Sequence, residues 1–119
     1  MHFNFPVVLT TLALATAATA DRLIVNHYGF LSGNTYTGTF VTKYDSYIIG
    51  NVDGCHTNPG VPALNRLCMD FGKRRGHFTF NGQGKRCLKE TSNDFAHCSD
   101  DFAWATCSKL YYDEVKCTW

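Results

Sequence analysis

Apolar and polar positions alternate along much of this chain, and the period is that of strands more than of helices. Arg22-Leu-Ile-Val-Asn-His-Tyr28 is a short apolar run bounded by Gly29 and by Ser32-Gly33-Asn34, residues that favour turns. Thr35-Tyr-Thr-Gly-Thr-Phe-Val-Thr42 is dense in threonine, tyrosine and valine, side chains that suit a pleated, half-buried surface. Ser46-Tyr-Ile-Ile49 predicts a third strand before the turn formers Gly50-Asn51 and Asp53-Gly54. Short strands spaced by about ten residues suggest an antiparallel meander.

Beyond Gly54 the pattern is more broken. His56 to Pro62 predicts a loop, because Pro59 and Pro62 cannot donate to a ladder and restrict their predecessors. Ala63 to Met69 fits either a short helix or a strand. Gly72 to Gly76 predicts a turn, His77 to Phe80 a strand, Asn81 to Gly84 a second turn and Lys85 to Leu88 another strand. Asn81-Gly82 is a hairpin marker, since both positions tolerate positive φ. Asp94 to Leu110 fits one helix capped by Ser92, Asn93 or Asp94. Against it, Cys98 and Cys107 stand nine positions apart and at about 100° per residue would face opposite sides. Phe102, Trp104 and Thr106 also alternate as a strand does. Glu114 to Trp119 alternates again and predicts a terminal strand that Cys117 would pin. The fold expected is mainly β, a small antiparallel domain with at most one short helix.

The N-terminal twenty residues break the alternation altogether. Phe3 to Ala20 holds no Asp, Glu, Lys or Arg, and Ala18-Thr19-Ala20 places small residues before Asp21. Residues 1–20 therefore read as a secretory signal cut after Ala20, although the n-region lacks the usual Lys or Arg. A membrane anchor is the competing use of such a run; the threonines, Pro6 and the small-residue end argue against it. Of 119 residues, removal of 20 leaves 99, enough for one domain, residues 21–119. No membrane span is expected after that cut, and the secreted domain is expected to be monomeric.

All six cysteines, Cys55, Cys68, Cys87, Cys98, Cys107 and Cys117, lie in that domain. An even count behind a secretory signal implies three disulfides. Many pairings are open; Cys68–Cys87 is the best single expectation, because the segment between them resembles a hairpin that would bring its ends together. Zinc is not expected, since there is no C-x-x-C and Cys55-His56 and His97-Cys98 lack chelating spacing. Nothing in the sequence calls for a cofactor.

Charge is close to balanced overall, at +1, but not locally. Arg66 to Lys89 holds seven basic residues against the single acid Asp70, a local +6. Glu90 to Trp119 holds two basic residues against six acids, a local −4. The near-neutral total argues against bulk nucleic-acid or membrane binding. Lys73, Arg74, Arg75, Lys85 and Arg86 remain as a binding surface for an anionic glycan or an acidic protein. The competing role is solvated turns that keep a sheet edge from pairing with other chains. By sequence the two clusters fall at opposite ends of the strand His77–Phe80 and need not form one patch.

Catalytic signals are absent. His27, His56, His77 and His97 could in principle combine with Glu90 or Asp70 and an arginine into a ribonuclease-like acid/base site. No spacing supports that arrangement, and no Gly-x-Ser-x-Gly, His-Glu-x-x-His or phosphate-cradling loop is present. The abundant aromatics serve first as core; Tyr111, Tyr112 and Trp119 are the expected surface contacts.

The Thr/Ala-rich signal, the six-cysteine domain and the stretches Gly54-Cys55…Pro59-Gly60-Val61-Pro62, Asn81-Gly82-Gln83-Gly84-Lys85-Arg86-Cys87 and Asp113-Glu114-Val115-Lys116-Cys117-Thr118-Trp119 give the chain a resemblance. It resembles the small cysteine-rich secreted proteins of filamentous fungi, the pool from which host-directed effectors are drawn. It is not similar to hydrophobins, which use eight cysteines including adjacent pairs, nor does it carry a LysM motif. The resemblance implies secretion, to the host apoplast, and a non-enzymatic virulence role through binding a host molecule. A secreted antimicrobial or toxin-like protein, motivated by the local +6 segment, and a small secreted ribonuclease are the alternatives.

Overall fold

The computed structural model describes residues 20–30, 33–96 and 106–119. Eight strands occupy them: β1 (Arg22–Phe30), β2 (Gly33–Val41), β3 (Ser46–Asn51), β4 (Gly54–Thr57), β5 (Leu64–Asp70), β6 (Arg75–Phe80), β7 (Arg86–Ala96) and β8 (Thr106–Val115). They form one antiparallel sheet in the order β3-β2-β1-β8-β7-β6-β5-β4. Neighbours in sequence pair throughout except between β3 and β4, and β1 closes against β8, so the centre of the sheet is built from the two ends of the domain.

The sheet curls so that its two halves share one core. On β1 the buried positions are Leu23 and Val25; on β2 Phe40; on β8 Leu110 and Tyr112; on β6 Phe78. Their period of two puts them on the concave face, while Thr35, Thr37 and Thr39 of β2 point away. Phe40 meets Phe78 edge-on at 5.2 Å between ring centroids, and Tyr36 stacks on Phe71 at 4.0 Å. The second contact carries the curl to the β5–β6 turn. Gly76 sets how closely β5 and β6 approach: a Cβ there would stand 2.3 Å from the Met69 sulfur and 2.7 Å from the Cys68 carbonyl oxygen.

The expected antiparallel β fold is present; within it two open readings are decided and two element bounds move. Ala63–Met69 resolves as a strand, because β5 spans Leu64–Asp70. The loop after Cys55 starts later than expected, since His56 and Thr57 belong to β4. A helix over Asp94–Leu110 does not form: Asp94–Ala96 ends β7 and Thr106–Leu110 starts β8, and among the described residues there is no helix. The terminal strand ends at Val115, and Lys116–Trp119 leaves the sheet.

Cys68–Cys87 is not a bridge. Both residues pair in register with His77, one on each side of β6, so they are two strand spacings apart, about 9–10 Å, beyond the roughly 4.4–6.8 Å that a disulfide spans. Among the described residues two bridges are seen in full: Cys55–Cys68, between directly paired positions of β4 and β5, and Cys87–Cys117, which ties the C-terminal tail to β7. No described cysteine is free. Cys98 and the signal segment before Ala20 lie outside the described residues.

Candidate functional site: a tyrosine-tipped turn over a charged cleft

A cleft of about 400 Å³ opens where the two halves of the curled sheet meet. One lip is Asp21 with Thr42, Lys43 and Tyr44 of the β2–β3 turn; the other is Pro62 and Ala63 before β5, with Phe80, Gln83 and Arg86 from the β6–β7 hairpin. Tyr44 stands 81 % exposed at the tip of that turn, an amphipathic ring open to contact.

The turn that carries Tyr44 is braced from within. The Thr42 N–H donates to the Asp45 carbonyl at 2.9 Å. The Thr42 hydroxyl donates to the same oxygen at 3.2 Å and accepts from the Tyr44 and Asp45 N–H groups at 3.1 and 3.3 Å. Asp45 Oδ1 then accepts from the Ser46 N–H at 2.8 Å. A hydroxyl that replaces main-chain partners in this way fixes a tight turn. Lys43 Nζ lies 5.0 Å from the Tyr44 ring centroid. The main chain beneath the ring is thus set in advance, which lowers the backbone entropy lost when Tyr44 meets a ligand.

Below the turn is a cluster of three charges. Arg86 grips Glu114 through both carboxylate oxygens, at 2.8 Å from Nε and 2.6 Å from Nη2. The same Nη2 reaches Asp21 Oδ2 at 3.1 Å. The guanidinium also lies over the rings of Phe78 and Phe80, at 5.0 and 5.5 Å. Asp21 is 6 % exposed. Burial, reinforced by Glu114, raises its pKa against the opposing charges of Arg86 and Lys43. Burial also works against the Glu114 carboxylate, but hydrogen bonds from Arg86 and from the Asp21 N–H hold its pKa below the ordinary value.

The basic residues singled out by sequence are divided between the two faces of the sheet. Arg86 pairs with Phe78 and points inward to the carboxylates. Arg75, opposite Lys89 on β7, points outward and stacks on Trp119 at 5.1 Å. Lys85 Nζ donates to the Trp119 main-chain oxygen, so the tail held by Cys117 gathers Arg75 and Lys85. Lys73 and Arg74 lie in the Phe71–Arg74 turn, with Arg74 at φ 56°.

The histidines and acids considered for acid/base chemistry are engaged separately. His27 Nε2 bonds Asn34 Oδ1 at 3.0 Å, and His56 Nε2 bonds the Asp53 carbonyl at 2.7 Å. His77 stands between Cys68 and Cys87, its pKa lowered by burial and then by Lys85 and Arg66. Glu90 accepts from the Tyr112 hydroxyl at 3.2 Å, which, after burial, helps to raise the tyrosine's pKa; Asp70 accepts from the Lys73 N–H. Tyr112, expected at the surface, is fully buried. His97 lies outside the described residues.

Sequence inspection placed Arg86 among binding residues but missed Asp21, Thr42, Lys43, Tyr44 and Gln83. Thr42-Lys-Tyr-Asp45 carried a usable signal, because threonine and aspartate bracketing two residues favour a side-chain-braced turn. Compared with known protein families, curated proteins and solved structures, the chain has no match.

Proposed function

We propose that this chain is a secreted, non-enzymatic, effector-like virulence protein that acts by binding a host molecule in the cleft beneath Tyr44. The observation that carries this reading is an 81 % exposed tyrosine held by four hydrogen bonds of its own turn above an open cleft. The donors beside it, the Lys43 ammonium and the Gln83 amide, suit a ligand with a flat apolar face next to acceptor oxygens. An acidic glycan has that chemistry: sugar rings stack on aromatics and carboxylates meet ammonium groups. Disulfides in so small a domain are compatible with an extracellular protein, and the apolar N-terminal segment supplies the export route. The antimicrobial reading draws less support, since Arg86, Arg75 and Lys85 are engaged within the fold.

The test is binding of the oxidised protein to an acidic polysaccharide such as polygalacturonate, together with the response of host tissue to infiltration. Tyr44→Ser is the probe, because that side chain is exposed and its loss leaves the core intact. Loss of both binding and response in Tyr44→Ser is the result expected. A host response that survives Tyr44→Ser, or no response to the unaltered protein, overturns the proposal. Response without polysaccharide binding transfers the cleft to a protein partner.

A further inference from the structure

Asp21 is the buried charged residue among those described, at 6 % exposure, and Ala20 just before it is exposed. The main chain of Asp21 is held on both sides by Glu114. Its N–H donates to Glu114 Oε1 at 3.0 Å, and its carbonyl accepts from the Glu114 N–H at 3.1 Å. Two carboxylates, Asp21 and Glu114, share the single guanidinium of Arg86. Lys43 of the β2–β3 turn is the second cation that bears on Asp21, whereas Glu114 Oε1 takes the Asp21 N–H and Arg86 directly.

We propose that the Asp21–Arg86–Glu114 cluster is the seat of a free α-ammonium group on Asp21, produced by cleavage of the Ala20–Asp21 peptide bond. Water adds across that bond: Ala20 takes the hydroxyl and leaves as a carboxylate, and the Asp21 nitrogen keeps the electron pair and is protonated. The amide N–H that faces Glu114 Oε1 at 3.0 Å becomes a cationic donor at the same place, and charge-assisted bonds of this kind are about twice as strong as neutral ones. The ammonium then joins Arg86 in direct contact with Glu114 Oε1. The bond that Ala18-Thr19-Ala20 marks for cutting joins exposed Ala20 to buried Asp21, so residue pattern and hydrogen-bond geometry meet at one site. Asp21 also lines the cleft, so the new terminus stands at the cleft beneath Tyr44. The inference rests on the export part of the function proposed above.

The charged groups facing the new amine are the Asp21 and Glu114 carboxylates, which raise its pKa, and Arg86 and Lys43, which lower it. With Glu114 nearest, the amine is expected to titrate about one unit above the ordinary α-amino range of about 7.7–8.0. A cation whose pKa is raised on folding adds stability at lower pH that is lost as pH rises through the folded value.

The full chain is expressed in a secreting fungal host, and the intact mass of the protein in the medium identifies its first residue. The α-amine is then titrated by NMR in this protein and in Glu114→Gln. The expected result is a chain beginning at Asp21, an amine titrating about one unit high, and loss of that shift in Glu114→Gln. A different first residue, or an amine at its ordinary value, overturns the inference. The mass and the titration of the unaltered protein decide the matter even if Glu114→Gln does not fold. A full chain cut before Asp21 in vitro by a site-specific protease gives the same titration. Failure of export would thus refute the secreted role while the titration still decides the seat.

Discussion

Replacing Arg86 with methionine removes the shared cation of the buried cluster while keeping an unbranched side chain to cover Phe78 and Phe80. The side chains involved are 27 % exposed for Arg86, 19 % for Glu114 and 7 % for Asp21. Breaking a fully buried pair costs about 3–5 kcal/mol, whereas an exposed pair contributes about 0–1 kcal/mol. Intermediate burial with bidentate geometry places the loss at about 2–3 kcal/mol near pH 7, or roughly 10–20 °C in Tm for a domain of this size. Arg22→Met is the control: Arg22 also grips a carboxylate, Asp113 at 2.6 Å, but at 45 % and 33 % exposure, so about 0.5 kcal/mol is expected.

The pH dependence separates a cluster effect from simple loss of packing. In the intact protein the Glu114 pKa is depressed, so its contribution is present above the ordinary glutamate value, about 4.3, and is lost as pH falls through the folded value. Asp21 works in the opposite sense: its pKa is raised by burial, and its contribution is lost as pH rises. Without Arg86 the two carboxylates face each other, both titrate high, and the variant loses stability as pH rises through them. The gap between the two proteins should therefore be widest near pH 7 and close towards pH 3. Urea unfolding followed by fluorescence at pH 3, 4, 5 and 7 measures it. A gap below about 0.5 kcal/mol at pH 7, or one that is the same at every pH, would refute the reasoning.

Gly76→Ala should lose about 2–3 kcal/mol in the same assay, because the Cys68 carbonyl in its way is backbone; Gly84→Ala, with nothing within 4 Å, should change little, and equal midpoints would be the contrary result. Arg74→Gly should stabilise by about 0.5–1 kcal/mol by relieving the left-handed conformation at φ 56°, and a lower midpoint would count against that geometry. Replacing Cys87 and Cys117 together by serine opens a loop of 30 residues and should cost about 3.6 kcal/mol, against about 2.9 kcal/mol for Cys55 and Cys68 with their separation of 13; only the former should release Trp119, read as a shift in its emission. Thr42→Val should leave the core intact but expose the Tyr44 and Asp45 amides, and unchanged hydrogen-exchange protection there would show that the hydroxyl does not brace the turn.

β2 was legible in the sequence because only one of its faces is buried. Gly38 and Phe40 face the core, and the threonines between and around them face out, so the period of two survives in the residue types. β5 was ambiguous for a physical reason. Leu64, Leu67 and Cys68 follow helical spacing, yet a bulge between Leu64 and Arg66 shifts the register and restores a single inward face with Leu67 and Met69. β4 is four residues at a sheet edge with mostly exposed side chains, too little burial to leave a pattern. The cysteine pairing depended on β6 standing between Cys68 and Cys87, a fact of strand order that no local spacing encodes. Arg86 was visible as a cation, but one of its carboxylate partners lies 28 positions on and the other precedes β1, so its burial could not be read locally.

The positions of the bridges bear on the cleft. Cys55–Cys68 and Cys87–Cys117 staple β4, β5, β7 and the tail, and there is no cysteine between Asp21 and Gly54. The lip with Pro62, Ala63, Gln83 and Arg86 thus belongs to the stapled half of the sheet, and the lip with Thr42, Lys43 and Tyr44 belongs to β1–β3. The two halves are joined by the β1–β8 ladder, paired from Arg22↔Asp113 to Gly29↔Thr106, and across the cleft they also meet through Phe40 on Phe78 and Phe80, and Asp21 on Arg86. Aromatic pairs and a partly buried ion pair each contribute on the order of 1 kcal/mol, far less than a disulfide. The cleft therefore stands between a wall that carries the bridges and one held to it by the central ladder, by side-chain packing and by the Asp21–Arg86 pair. Tyr44 sits on the wall that carries no bridge, at the tip of a turn braced by the Thr42 hydroxyl.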